Sequence, residues 1–198
     1  MVKPASGVWR IGRWNKWKQD DWRGAVSISD DGTTLIAGAS LNSGGGSLAG
    51  HARIYRWNGT NWVQKGSDID GQFAQDQSGW SVSMDGSGNT VAIGSPYNSE
   101  FGSYSGQVRV YQWNGTAWVQ KGTDIHGSSY CESGSSVSIN QAGDIVAIGS
   151  PGTASATGAV NVYSWNGSAW IQMGSTLSGE AIDDYFGRYS VSLSDNGF

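Results

Sequence analysis

Histidine, cysteine and paired carboxylates are the residue types in this chain that could perform catalysis. The two histidines, His51 and His126, occupy different positions of a repeating sequence, and Cys131 stands in a polar linker. A reactive thiol needs a nearby base or cation, and none neighbours Cys131 in the sequence. We interpret the histidines as solvated side chains and Cys131 as a linker residue. We therefore predict no catalytic residues, no cofactor and no enzymatic activity.

A run of carboxylates, Asp68-Ile69-Asp70-Gly71 with Asp76 beyond it, could be a metal loop. The corresponding segments of the next two repeats are Asp124-Ile125-His126-Gly127 and Thr176-Leu177-Ser178-Gly179. The apolar middle residue and the glycine recur, whereas the carboxylates do not. The end of a strand followed by a turn explains this pattern better, and we expect no metal ion here.

Charge and composition limit the partners of the chain. The net charge is −4, and half of the basic residues lie within the first 23 positions. The rest of the chain has no basic stripe that could follow a phosphate backbone, so we expect no nucleic-acid partner. No run of about 18 apolar residues exists, so we expect no membrane insertion. The basic residues of the first segment, interpreted as a solvated edge, are Lys3, Arg10, Arg13, Lys16, Lys18 and Arg23.

A repeat of about 55 residues organises the sequence. Val26, Val82, Val137 and Val191 are equivalent, and they are separated by 56, 55 and 54 residues. Short apolar runs between Gly, Ser, Thr and Asn predict four β-strands in each repeat. The second repeat illustrates them: Ser81–Met84, Thr90–Gly94, Val108–Trp113 and a strand that begins near Trp118.

The alternation of residues in the third strand predicts how the sheets pack. Val108 and Val110 point to one side, and Tyr111 and Trp113 point to the other, so both faces carry large apolar groups. A sheet covered on both faces is typical of a blade in a β-propeller. We predict an all-β fold of four-stranded antiparallel propeller blades. The boundaries are a partial blade at 1–23, blades at 24–78, 79–133 and 134–186, and the first strand of another blade at 187–198.

Three Asn-Gly pairs, at 58–59, 114–115 and 166–167, lie between the third and fourth strands. Asn-Gly favours a two-residue type I′ turn, which places Tyr111 opposite Trp118. Each pair is followed by Thr or Ser, so Asn58, Asn114 and Asn166 are also candidate N-glycosylation sites. A closed propeller usually has at least about four blades. We therefore expect either a fragment or a subunit that is completed by further copies.

Phe186-Gly187 with Ser190-Val191-Ser192 forms one type of motif, and Gly94-Ser95-Pro96 and Gly149-Ser150-Pro151 form another, with Gly38-Ala39-Ser40 a looser copy. These motifs resemble the opening and the close of the FG-GAP repeats found in integrin α-chain propellers. The Trp-Asn-Gly hairpins and the linkers at 66–71 and 122–127 resemble those of secreted bacterial and algal repeat proteins. The family often carries calcium in the turn between the first two strands. The turns of this chain have too few carboxylates for that, and we expect no calcium there.

Long loops and linkers gather on one face of the predicted blades, opposite the tight turns. The resemblance implies that this face carries the ligand site, as in integrin-type propellers. Aromatic side chains mixed with carboxylates and amides suit a sugar or a protein partner. The candidate ligand-binding residues are Asp70, Gln72, Asp76, Tyr97, Asn98, Glu100, Tyr104, His126, Tyr130, Asp183, Asp184 and Tyr185.

Together, these patterns favour a non-enzymatic adhesion or structural module, extracellular or on the cell surface, that binds a protein, a glycan or copies of itself. One alternative is a carbohydrate-binding propeller lectin, which a glycan array would separate from a scaffold. Another is a subunit of a surface filament that completes blades between chains. An enzyme is the third, and it requires a polar cluster that is not repeated.

Overall fold

Three antiparallel sheets, one for each repeat, form the part of the chain that the computed structural model describes, residues 25–197. The fold is all-β with antiparallel pairing, as the sequence predicts. The predicted partial blade at 1–23 and its basic cluster lie outside the described residues. Within the described range, no helix has the length and apolar character that a bilayer crossing requires.

The strands follow chain order across each sheet. The first sheet contains β1 (Val26–Ile28), β2 (Thr34–Ala39), β3 (His51–Trp57), β4 (Trp62–Gln64) and β5 (Ile69–Asp70). The second contains β6 (Ser81–Met84), β7 (Thr90–Ser95), β8 (Gln107–Trp113), β9 (Trp118–Gln120) and β10 (Ile125–His126). The third contains β11 (Ser136–Ile139), β12 (Ile145–Ser150), β13 (Ala159–Trp165) and β14 (Trp170–Ser178), and the short turn α1 (Thr153–Ala156) connects β12 to β13.

Apolar side chains from neighbouring sheets meet face to face and form two clusters. One cluster joins the first sheet to the second, and the other joins the second to the third. Every residue of β7 is buried, and so is every residue of β12. The middle sheet is therefore covered on both sides. The buried members are Ile36, Ala52, Ile54, Ile69, Val82, Met84, Val91 and Ile93 in the first cluster, and Ala92, Val108, Val110, Ile125, Val137, Ile139, Val146 and Ile148 in the second.

Glycines set how closely the sheets approach each other. A Cβ atom on Gly94 would overlap the carbonyl oxygen of Gly134 in the next sheet. Gly38 meets Gly79 in the same way, and Gly149 meets Gly187. The Gly134 N–H donates to the Gly149 carbonyl at 3.0 Å, so the contact also anchors the start of the third sheet. No larger residue fits at these points without moving the backbone.

A lysine and two tryptophans join each of the first two sheets to the next. The Lys65 ammonium lies 5.3 Å and 5.2 Å from the ring centres of Trp113 and Trp118, and it donates to the Gly88 carbonyl. The Trp118 indole N–H donates in return to the Lys65 carbonyl at 2.8 Å. Lys121 makes the equivalent contacts with Trp165 and Trp170. Such cation–π contacts contribute roughly 0.5–2 kcal/mol each.

The turn between the third and fourth strands differs from the predicted type I′ turn. Trp113 pairs with Trp118 and Tyr111 with Gln120, so the loop has four residues and the predicted pairing of Tyr111 with Trp118 is wrong. The reason is the Asn114 side chain, whose Oδ1 accepts the backbone N–H groups of Thr116 and Ala117. This side-chain turn replaces the second positive φ angle that a type I′ turn needs, and only Gly115 has one.

The first strands of consecutive sheets are linked to each other. Ser27 Oγ accepts the Met84 N–H, and Ser83 Oγ accepts the Ile139 N–H. Ser138 Oγ accepts the N–H of Leu193, which lies in the segment after the third sheet and in no strand. A further hydrogen bond joins sheets that are not neighbours, because the Gln141 amide of the third donates to Asp30 of the first. The turns that follow the first strands of the three sheets are therefore linked by hydrogen bonds, since the Asp30 N–H also donates to the Gly86 carbonyl and the Gly86 N–H to the Gln141 carbonyl.

The glycine contacts lead to the first prediction. Substitution Gly94→Ala should reduce the free energy of unfolding by about 3 kcal/mol, because the added methyl group overlaps backbone that cannot move alone. Gly32→Ala is the control. Unlike Gly94, Gly32 has a positive φ angle, +69°, but nothing lies within 4 Å of the added atom, so the cost should be only the backbone strain of about 1 kcal/mol. Urea denaturation followed by tryptophan fluorescence measures both, and equal losses would contradict the role of the contact.

Candidate functional site at the loop edge

The site candidates lie at one edge of the sheets, which we call the loop edge. It is formed by the loops 40–50 and 96–106, between the second and third strands, and by the linkers 71–80 and 127–135. Each linker runs beside the preceding loop, and parallel bridges pair Gly50 with Ser78 and Gly106 with Ser133. The start of the third strand and the end of the fourth strand open onto this edge.

The first cluster at the loop edge contains His51, Asp68 and Asp70. The His51 Nδ1 atom lies 3.7 Å from Asp68 Oδ2 and 3.8 Å from Asp70 Oδ1. Arg53 donates to both oxygens of Asp68, at 2.8 and 2.6 Å, and holds the pKa of that carboxyl below its usual value. Burial and the nearby Arg53 lower the pKa of His51. In this cluster, the Arg53 guanidinium forms an ion pair with the Asp68 carboxylate.

The second cluster contains Glu100, Asp124 and His126, whose potential ligand atoms lie within 4.8 Å of one another. The His126 Nε2 atom is 4.0 Å from Asp124 Oδ2, and the Phe101 ring packs on the imidazole with 4.0 Å between ring centres. Asp124 accepts hydrogen bonds from the Gln107 and Gln120 amides. The buried atoms Gln107 Oε1 and His126 Nδ1 have no hydrogen-bond partner.

The two clusters occupy the same place in successive repeats. His51 pairs with Asp70 across β3 and β5, and Gln107 pairs with His126 across β8 and β10. The two histidines therefore take opposite halves of one cross-strand pair. Ala159 and Ser178 form this pair in the third sheet. The interpretation of the histidines as solvated side chains is wrong, because His51 is only 4% exposed and His126 is largely buried.

One difference separates the clusters electrostatically. Arg109 is the counterpart of Arg53, but its guanidinium donates to the Asp70 carbonyl and to the Tyr111 hydroxyl. Both arginines have the same strand register, but Arg109 reaches the backbone of Asp70 in the preceding sheet. Among the described residues, Asp124 is therefore hydrogen-bonded by two neutral amides and by no arginine or lysine.

A groove of about 760 Å³ adjoins the second cluster. It runs between the linker of the first sheet and the loop of the second, and Phe73, Tyr97 and Tyr104 form its apolar part. Polar lining comes from Gln75, Gln77, Ser99, Ser103 and Glu100. Glu100 thus belongs to both the groove and the cluster. A groove of this size suits a small ligand, for which pockets of about 300–1,000 Å³ are typical.

Two of the predicted ligand-binding residues stabilise the groove from inside. Asp76 and Asn98 are buried, and the Asn98 amide donates to Asp76 at 3.0 Å. Asp76 also accepts the Phe73 N–H, and burial raises the pKa of its carboxyl. These contacts connect the first linker to the second loop. Their side chains support the groove rather than face a ligand.

The other predicted residues fall into three places. Glu100 and His126 are in the second cluster, and Asp70 is in the first. The Gln72 amide oxygen accepts a hydrogen bond from Gln107, which connects the first linker to the second sheet.

Tyr97, Tyr104 and Tyr130 form a chain of ring contacts along the groove and the second linker. Asp183, Asp184 and Tyr185 lie apart, beside the third sheet, where Asp184 accepts the N–H groups of Glu180 and Ala181.

The candidate glycosylation sites Asn58, Asn114 and Asn166 are exposed at the hairpins on the opposite side from the loop edge. In each, the side-chain oxygen accepts the hydroxyl and the N–H of the Thr or Ser two residues later. The side-chain nitrogen, to which a glycan would attach, takes no part in these bonds.

Comparison with solved structures gives a similarity of fold. The chain is similar to the crystal structure of a candidate 6-phosphogluconolactonase from Bacteroides uniformis ATCC 8492, with a TM-score of 0.57 and 12% sequence identity. The match covers 87% of this chain and 44% of that one, so the chain spans less than half the length of the similar protein. No protein-family model and no curated protein matches the chain.

This similarity contradicts the sequence-based prediction of function. The chain was expected to be a non-enzymatic adhesion or structural module, with a lectin or a filament subunit as alternatives. The similar protein is named as an enzyme, so an assembly of such sheets is compatible with catalysis and the prediction of no enzymatic activity is wrong. At 12% identity the likeness concerns the fold alone, and the chemistry has to be argued from the residues of this chain.

The buried histidine of the first cluster predicts how stability depends on pH. The folded-state pKa of His51 is below its usual 6.5, so the unfolded chain binds the proton more tightly and stability falls as pH drops through 6.5 towards the folded pKa. His51→Gln, which introduces the residue found at the equivalent position 107, should lessen this loss. Urea denaturation at about pH 7.5 and about pH 5 measures it, and an unchanged pH dependence in the variant would refute the assignment.

Proposed function

We propose that this chain is part of a β-propeller enzyme that hydrolyses a lactone or ester of an uncharged, sugar-like substrate at the loop edge. The observation that carries the proposal is the position of Glu100, which lines the groove and also belongs to the cluster with Asp124 and His126. A substrate in the groove would therefore lie beside groups that can activate water. Acid–base groups of this kind contribute about 10²–10⁴-fold to a rate.

The lining of the groove fits a polyhydroxylated ring. Gln75, Gln77 and Ser103 offer hydrogen-bond donors and acceptors, and the exposed rings of Phe73 and Tyr104 can pack on the apolar face of a sugar. Hydrolysis requires a base that removes a proton from the attacking water. Asp124, His126 and Glu100 supply nitrogen and carboxylate groups for that step at one end of the groove.

The charge of the residues that line the groove limits the class of substrate that can bind there. Among the described residues, the groove is lined by one exposed carboxylate, Glu100, and by no lysine, arginine or histidine, while the Asp76 carboxylate is buried behind the groove surface. A phosphate group would meet negative charge without a compensating cation. The similar solved structure is named for a phosphorylated sugar lactone, and its name supports a lactone as the reacting group. The groove of this chain favours a lactone without the phosphate.

The propeller arrangement is part of the proposal, and the hydrogen bond between Gln141 and Asp30 supports it. Stacked sheets pack about 10 Å apart, so the first and third sheets of a straight stack would be about 20 Å apart. Two side chains cannot bridge that distance. The contact is explained if the three sheets are inclined to one another like the blades of a propeller, with their first strands nearest a common axis; we call this arrangement the fan. The paired glycines support the resemblance to FG-GAP repeats.

The catalytic proposal predicts that the full chain accelerates the hydrolysis of glucono-lactone above the spontaneous rate, as followed by acid release. His126→Gln and Glu100→Gln should each lower the rate by about 100-fold. His51→Gln is the matched control in the first cluster and should keep the activity. Absence of acceleration, or equal loss in the control, would contradict the proposal. A preference for 6-phosphoglucono-lactone would contradict the charge argument.

The fan predicts which residues a short bis-maleimide cross-linker can join. In a Cys131→Ser background, cysteines at Asp30 and Gln141 should be linked within one chain, because both lie at the converging edge. Cysteines at the hairpin residues Asn58 and Asn166 come from the same two sheets but lie at the far edge, and they should not be linked. Mass spectrometry identifies the products. Equal linkage of both pairs would indicate a straight stack and refute the fan.

A further inference from the structure

We infer that Glu100, Asp124 and His126 bind one divalent transition-metal ion, with Zn²⁺ the best match. The set combines one imidazole with two carboxylates, and such a mixture suits Zn²⁺ better than Ca²⁺, which takes oxygen ligands. Three protein ligands that leave a further position for water are the arrangement of catalytic zinc sites. The inference departs from the sequence-based expectation, which placed no metal in the chain.

A buried oxygen without a hydrogen-bond partner points to a cation. Gln107 is fully buried, and its Nε2 group donates to Asp124 at 2.7 Å and to Gln72 at 2.8 Å. Its Oε1 atom belongs to the same amide, so it lies no more than about 5 Å from the Asp124 oxygen. That Oε1 atom has no donor. A buried oxygen without a donor is unfavourable unless a cation or its bound water satisfies it.

His126 would bind the ion through Nε2, because this is the ring nitrogen that faces Asp124, at 4.0 Å. The two nitrogens point to different sides of the imidazole ring, so only one of them can bind an ion that Asp124 also binds. Gln107 Oε1 is therefore the unpaired buried acceptor that indicates a cation, and Gln107 pairs with His126 across β8 and β10.

Charge balance distinguishes this cluster from its counterpart. In the first cluster, Arg53 forms two hydrogen bonds with Asp68 and supplies the positive charge. In the second, the described donors to Asp124 are the amides of Gln107 and Gln120, and they supply none. No lysine or arginine of the described part of the chain forms an ion pair with Asp124 or Glu100. A divalent ion would supply the positive charge at the point where Arg53 acts in the preceding repeat.

Only small movements of the three ligand side chains are needed to bind a zinc ion. The ligand atoms lie within 4.8 Å of one another, and zinc ligands at about 2.0–2.2 Å from the metal lie about 3.3 Å apart. Glu100 is exposed on a loop and can close this gap by rotating its side chain. Phe101 holds the imidazole ring in place by packing on it. A bound ion would also lower the pKa of a bound water, which deepens the proposed hydrolysis at the same residues.

The metal inference rests on the proposed function only for what the metal would do there, so its test measures binding. Isothermal titration calorimetry of the chelator-treated full chain with ZnCl₂, in the Cys131→Ser background, should show one site. His126→Gln and Asp124→Asn should weaken binding by about tenfold or more. His51→Gln, in the counterpart cluster, should bind as the parent does. Glu100→Gln should also weaken zinc binding, and because Glu100 is at an exposed loop position, this variant leaves the fold intact.

Absence of zinc binding, or unchanged binding after His126→Gln, overturns the inference. Loss of binding in the His51→Gln control also overturns it, because the site would then lie in the other cluster. Circular dichroism of each variant excludes loss of folding as the cause. Zinc binding without lactone hydrolysis would sink the proposed function alone, and hydrolysis without zinc binding would sink the metal site alone.

Discussion

The close approach of glycine backbones between sheets is the constraint on which the rest of the structure depends. Gly94 touches Gly134 and Gly38 touches Gly79 without any side chain between them. These contacts lie where each linker enters the next sheet, so they fix the linker against the end of the preceding strand. The apolar clusters and the lysine–tryptophan contacts then fill a spacing that the glycines have already determined.

The loop edge inherits its geometry from this spacing. Each linker runs beside the preceding loop and forms a parallel bridge with it, as Gly106 does with Ser133. The cross-strand pair at this edge is placed identically in every sheet, but its residues differ. It holds His51 and Asp70 in the first sheet, Gln107 and His126 in the second, and Ala159 and Ser178 in the third. The same backbone arrangement thus holds an ion-pair network in the first sheet, an acidic cluster without a paired lysine or arginine in the second, and a strand end without charged side chains in the third.

The sequence predicts the strands well, because their apolar alternation recurs in register three times. The β6 strand coincides with the predicted Ser81–Met84. The hairpin turn was harder to predict, because the Asn114 side chain competes with the backbone for the same N–H groups. The candidate site was predicted in part. Glu100, His126 and Gln72 were identified, but the burial of both histidines was not.

That failure has a physical cause. When the repeats are compared position by position, His51 and His126 fall at different positions of the repeat. In the structure, these two positions face each other as one cross-strand pair, so each histidine occupies one half of the equivalent pair in its own sheet. A sequence search for cross-strand partners, rather than for equivalent positions, could have found the relation. Asp76 and Asn98 mislead for a similar reason, since polar loop residues resemble ligand-binding groups until their mutual hydrogen bond is seen. Function was the least predictable, because it depends on contacts between different sheets.

The repeated lysine has a consequence for how the molecule responds to force. Lys65 and Lys121 each reach into the following sheet, but the third repeat has Met173 at the corresponding position. A thioether offers no ammonium and no hydrogen-bond donor, so the third sheet cannot hold a neighbour in the same way. The first two contacts between sheets thus include a lysine–tryptophan contact, and the side of the third sheet that follows in the chain has none from Met173. A pulling force on the chain should therefore separate the structure first after the third sheet, and the groove and its polar clusters lie in the part that stays together.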